Sequence, residues 1–102
     1  MAKDPAFLFF PGDWLGGTMT LSRHEKGAYI DLLMAQFNNG HLDIQEIKTI
    51  LGKEDFETLW SGKLKKKFKI DNSGLYYNQK LESEIDKRKS YTESRRSNRQ
   101  GK

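Results

Sequence analysis

Two short stretches constrain this chain more than any others, because each contains a helix start and a helix stop. In "SRHEKGAYIDLLMAQFNNG", Ser22 and Glu25 stand three apart, the spacing at which a hydroxyl and a carboxylate reciprocally satisfy the free backbone N–H groups of a first helical turn. Gly40 follows Asn38 and Asn39, where a left-handed residue can close the last turn. The spacing therefore predicts a helix over residues 23 to 38, with Ile30, Leu33, Met34 and Phe37 on its apolar face. After His41 and Leu42, Asp43 and Glu46 repeat the start signal, and Gly52 supplies the stop. A second, shorter helix follows, with Ile44, Ile47, Ile50 and Leu51 facing the core.

The segments on either side complete a domain. From about Glu54, the residues Phe56, Leu59, Trp60 and Leu64 recur at helical spacing, although Gly62 weakens the pattern, and residues 65 to 70 suit either the end of this helix or a strand. "DNSG", residues 71 to 74, is rich in turn formers. It predicts a hairpin with Phe68, Ile70, Leu75 and Tyr77 on one face, and Lys67 and Lys69 turned to solvent. From Leu81 the pattern is helical again, but its apolar stripe fades after Ile85. Upstream, Pro5 and Pro11 bracket an apolar run that reads as a short buried extended segment, making Phe7, Phe9, Phe10, Trp14 and Leu15 core candidates. Gly27, inside the first helix, is read as a point where this segment's backbone comes close.

Three small helices, a two-stranded hairpin and a C-terminal helix give an α+β fold of the winged-helix kind, a helix-turn-helix variant whose hairpin is the wing. A different α+β arrangement is the competing reading. The expected division is a domain over residues 1 to 90 and a basic flexible tail, or the start of a linker, over residues 91 to 102.

Composition narrows the function classes. The 102 residues include no cysteine and only two histidines, His24 and His41, with no metal-ligand spacing, so neither a thiolate metal site nor a disulfide framework is expected. "GDWLGGT" lacks the lysine and spacing of a phosphate-binding loop. No catalytic residue, cofactor or metal is assigned. The longest apolar run, "AFLFF", is far below the roughly 20 residues that span a bilayer, so a cytoplasmic protein without a membrane partner is expected. Charge is unevenly divided. Residues 1 to 60 carry five Lys/Arg against nine Asp/Glu, whereas residues 61 to 102 carry thirteen against five. Such asymmetry points to a surface for a polyanion, or to a solvated tail.

The cationic candidates are Lys63, Lys65, Lys66, Lys67 and Lys69, running from the end of the third helix into the wing, together with Arg88, Arg95, Arg96 and Arg99 in the C-terminal segment. In a winged helix these positions suit phosphate contacts. Glu54, Asp55 and Glu57 at the start of the third helix argue against strong base readout there, while Tyr76 or Tyr77 is a candidate for stacking on a base. The bland alternative is that the lysines complement a helix end and keep an edge strand soluble.

"DPAFLFFPGDWLGGT", "LSRHEKGAYIDLLMAQFNNGHL", "KFKIDNSGLYYNQKLESEIDKRK" and "ESRRSNR" together resemble a phage and prophage domain of unknown function. That domain is related to the N-terminal domains of replication initiators and replisome organisers. The resemblance implies a winged helix and a part in DNA replication initiation. DNA is the implied partner, with single and double strands both open, beside other replication proteins or further copies of the chain. A protein-interaction or self-assembly module and a transcriptional regulator are the alternative functions.

Overall fold

The computed structural model describes the backbone of residues 9 to 100 and the side chains of residues 9 to 89. Among the described residues the chain is mostly helical, with one small two-stranded antiparallel sheet, an arrangement compatible with the α+β class. Helix α1 spans Pro11–Gly17, α2 Arg23–Asn39 and α3 Ile44–Leu51. The next helical segment, α4, is composite: a regular turn over Lys53–Asp55, a π-type stretch over Phe56–Leu64 and a 3-10 turn over Lys65–Lys67. Strands β1 (Lys69–Ile70) and β2 (Tyr76–Tyr77) follow, and α5 occupies Gln79–Gln100.

Both predicted capping boxes are formed. The Ser22 hydroxyl accepts from the Glu25 N–H at 3.0 Å while the Glu25 carboxylate accepts from the Ser22 N–H at 2.7 Å. Asp43 and Glu46 do the same at 2.8 and 2.9 Å. The two helices end at Gly40 and Gly52, whose φ angles of 86° and 85° lie where a Cβ would be strained.

The core lies where α2, α3, α4 and the start of α5 meet: Leu32, Leu42, Ile47 and Leu64 are fully buried, with Leu33, Leu59, Trp60, Phe68 and Leu81 around them. Each such aliphatic side chain contributes about 1.5 to 3 kcal/mol by leaving water. A chain of ring contacts crosses this core. Trp14 stacks on Tyr29 (centroids 5.4 Å apart), Tyr29 meets Phe68 edge-on (6.0 Å), Phe68 meets Trp60 (5.4 Å), and Trp60 meets Tyr76 edge-on (5.1 Å). The hairpin is held by more than its own strands. Lys69 pairs with Tyr77 and Ile70 with Tyr76, and Leu42, between α2 and α3, exchanges two backbone hydrogen bonds with Tyr76 at 2.9 and 2.7 Å.

Several expectations are corrected. Most of the run between Pro5 and Pro11, read as extended, lies outside the described residues, and the residues from Pro11 on form a short helix. Proline at its first position presets φ and lacks only an N–H that would be unsatisfied anyway. Of the proposed N-terminal core only Trp14 packs inward; Phe9, Phe10 and Leu15 are exposed, and Phe7 lies outside the described residues. The buried face of α2 is rotated from the predicted one. Ala28, Tyr29, Leu32, Leu33 and Gln36 are buried, Ile30 and Phe37 are half-buried, and Met34 is exposed. A Cβ built on Gly27 would meet nothing within 4 Å among the described residues outside its own helix turn, so none of the described backbone of the N-terminal segment packs there. Ile50 and Ile70 are exposed, leaving Phe68 as the apolar anchor before the turn. Lys67 belongs to the 3-10 turn and not to a strand, which points it inward.

Candidate nucleic-acid interface

The lysine-rich stretch begins at a bend. At Gly62 the backbone leaves helical geometry (φ −85°, ψ −110°), and the 3-10 turn of Lys65–Lys67 then carries the chain into β1. Within this turn the lysines divide into two groups. Lys63 donates its ammonium to the Thr20 carbonyl and Lys67 to the Gly17 carbonyl, each at 2.7 Å, so they are tied to the segment linking α1 to α2 and to the last residue of α1 respectively. Lys65, Lys66 and Lys69 are exposed, and their ammonium groups have no ion-pair partner among the described residues. The tied pair fastens the turn; Lys65 and Lys66 present cationic charge on it, and Lys69 on the adjoining β1.

Of the predicted arginines, Arg88 is half-buried on α5, while the side chains of Arg95, Arg96 and Arg99 lie outside the described ones. The helical backbone of α5 nonetheless runs through Gln100. The acidic start of α4 is exposed as expected, at Glu54 and Glu57, and Asp55 pairs with His24 at 2.9 Å. That carboxylate raises the affinity of His24 for a proton.

Two polar clusters beneath the hairpin were not foreseen from the sequence. Asn78, buried just before α5, donates to the Tyr29 hydroxyl at 3.0 Å and to the Lys67 carbonyl at 2.8 Å, and accepts from the Leu81 N–H at 2.9 Å as the helix cap. Its backbone N–H donates to the Gln36 side chain at 2.7 Å. One residue thus ties the lysine turn to α2 and α5. Nearby, His41 stacks on Tyr77 (4.5 Å) with Nδ1 at 2.6 Å from Asp71 and Nε2 at 3.1 Å from Glu82. With a carboxylate at each ring nitrogen, the imidazolium is the form that satisfies both, and the His41 pKa is raised, chiefly by the Asp71 hydrogen bond. Asp71 is lowered in turn by His41 and by N–H groups of the turn. The two carboxylates engage opposite nitrogens of the ring, and no three such side chains among the described residues are placed to hold a metal ion.

Apart from its cap to Leu81, nothing local in the sequence marks Asn78, whose other partners lie 11 to 49 residues away, or His41, whose partner Asp71 lies 30 residues away. No described helix is long and apolar enough to cross a membrane. Compared with family models, curated proteins and solved structures, the chain has no match.

Proposed function

We propose that this chain is the winged-helix DNA-binding module of a phage- or prophage-type replication initiation protein, contacting phosphates through its wing and basic C-terminal segment. The observation that carries this reading is the set Lys65, Lys66 and Lys69: three exposed ammonium groups without an ion-pair partner among the described residues, within five positions, on a turn and the start of β1 held by Lys63, Lys67 and Asn78. A fixed cationic turn loses little conformational freedom when it meets a polyanion, unlike lysines scattered on a mobile surface. The order of helices before the hairpin, and the bridge that fastens the hairpin to Leu42, support a wing held at a defined place. The motif resemblance supplies the replication role. Phosphate contacts position a protein without reading sequence, and the exposed carboxylates at the start of α4 disfavour deep approach of that helix to DNA, so weak sequence preference is expected. A transcriptional regulator would use the same contacts with added base readout.

A protein-interaction or self-assembly module is the second reading, favoured by Leu15 and Met19, which are 63% and 78% exposed. Titrating duplex and single-stranded DNA at several salt concentrations, alongside sedimentation of the free protein, separates the two. Affinity falling linearly in log salt, and indifferent to sequence, supports the DNA reading. No DNA binding together with concentration-dependent association would replace it with the second.

A further inference from the structure

An apolar pocket of about 170 Å³ opens between α1, α2 and α5, and the phosphate contacts make no use of it. Phe9, Phe10, Trp14 and Tyr29 contribute its aromatic lining, and Phe9 and Phe10 remain 49% and 44% exposed at its mouth. Apolar cavities of about 150 Å³ hold one benzene ring, so the space suits a single six-membered ring. Its polar groups are mixed. Lys67 and Lys80 bring ammonium groups, Asp13 and Glu84 carboxylates, and Lys80 pairs with Asp13 at 2.7 Å. A pocket lined by aromatic rings, with donors and acceptors beside it, suits a heteroaromatic ring bearing carbonyl and amino groups better than an aliphatic side chain, which would leave those groups without new partners.

Lys67 connects the pocket to the cationic turn: it lines the pocket and directly follows Lys65 and Lys66 in the chain, so the pocket adjoins the turn that carries them. We infer that the pocket takes one unpaired base of single-ring size from a DNA strand held by Lys65, Lys66 and Lys69. The inference rests on the phosphate-contacting reading of that turn and adds a preference for single strands, because a base can enter only after leaving its stack.

The test compares a labelled oligothymidylate with an abasic strand of the same length and phosphate number, by fluorescence anisotropy, for the wild-type protein and Phe10→Ala. Phe10 is half-exposed, and a thermal melt checks that the variant stays folded. Base stacking on an aromatic side chain predicts at least a roughly tenfold tighter grip on oligothymidylate than on the abasic strand. Phe10→Ala should abolish most of that difference and leave abasic binding unchanged. Equal wild-type affinity for the two strands, or a difference that survives Phe10→Ala, overturns the base pocket while salt-dependent binding of both strands still upholds the lysine turn. Absence of salt-dependent binding to either strand removes the turn reading and the pocket with it. Self-association abolished by Phe10→Ala, with no preference for bases, would assign the pocket to a second copy of the chain.

Discussion

Asn78 is the residue on which α2, the lysine turn and α5 converge, and its side-chain bonds reach a hydroxyl, a carbonyl and an N–H that are largely shielded from water. Asn78→Ala should cost roughly 3 kcal/mol, because it removes a helix cap and leaves buried polar groups without partners. Chemical denaturation checks this; a loss below about 0.5 kcal/mol would mean that water replaces the amide. His41 makes the opposite kind of junction, charged and partly exposed. Its pKa is raised above the ordinary 6.5, so its contribution to stability is fully present below 6.5 and is lost as pH rises through the folded-state value. Relative to His41→Gln, the wild-type protein should lose stability on going from pH 6 to pH 9. Asp71 is lowered from 3.8, so its contribution is present above 3.8 and fades as pH falls through its folded value. Parallel pH profiles for wild type and His41→Gln, from denaturation at each pH, would contradict the clamp.

At the scale of elements, the features that were legible are those written within four residues of each other. The capping boxes of α2 and α3, their glycine stops, the Leu59, Trp60 and Leu64 face and the Asp71 to Gly74 turn all follow from local spacing. The buried face of α2 was misjudged because Tyr29 and Gln36 are polar enough to pass for surface. They are inside because Asn78, 49 and 42 residues away, satisfies them, whereas Met34 was judged inside on its apolarity alone. Likewise, period-2 spacing turned Lys67 outward, but the 3-10 turn ends only at that residue and aims it at the Gly17 carbonyl. The run of lysines from Lys63 to Lys69 is plain in the sequence; its division into tied and free lysines depends on the Gly17 and Thr20 carbonyls, which no spacing predicts. For α5, Leu81 is buried and Ile85 half-buried, and no later residue in the sequence continues that stripe. Ending the chain after Lys89 should change the thermal midpoint by less than about 3 °C, since residues remote from the core shift stability by about 0.5 kcal/mol or less. A drop of more than 10 °C would place residues 90 to 102 within the folding unit.

At the scale of the whole molecule, the division of charge along the sequence falls within one helical segment among the described residues. The acidic start of α4 and the cationic turn that ends it are parts of one continuous helical segment, bent at Gly62. On the proposed function, one end of that segment would attract a polyanion and the other repel it, orienting the protein on DNA without reference to base sequence. The central claim is that Lys65, Lys66 and Lys69 contact phosphates while Lys63 and Lys67 hold the turn in place. The most direct measurement is the slope of log affinity against log salt for the Lys65→Gln, Lys66→Gln and Lys69→Gln triple variant, with its melt confirming the fold. Each lost contact should make the slope shallower by about 0.9 on duplex DNA and about 0.7 on single strands, with similar weakening for unrelated sequences. A folded triple variant that keeps the wild-type affinity and slope would contradict the account and leave these lysines a solvated face.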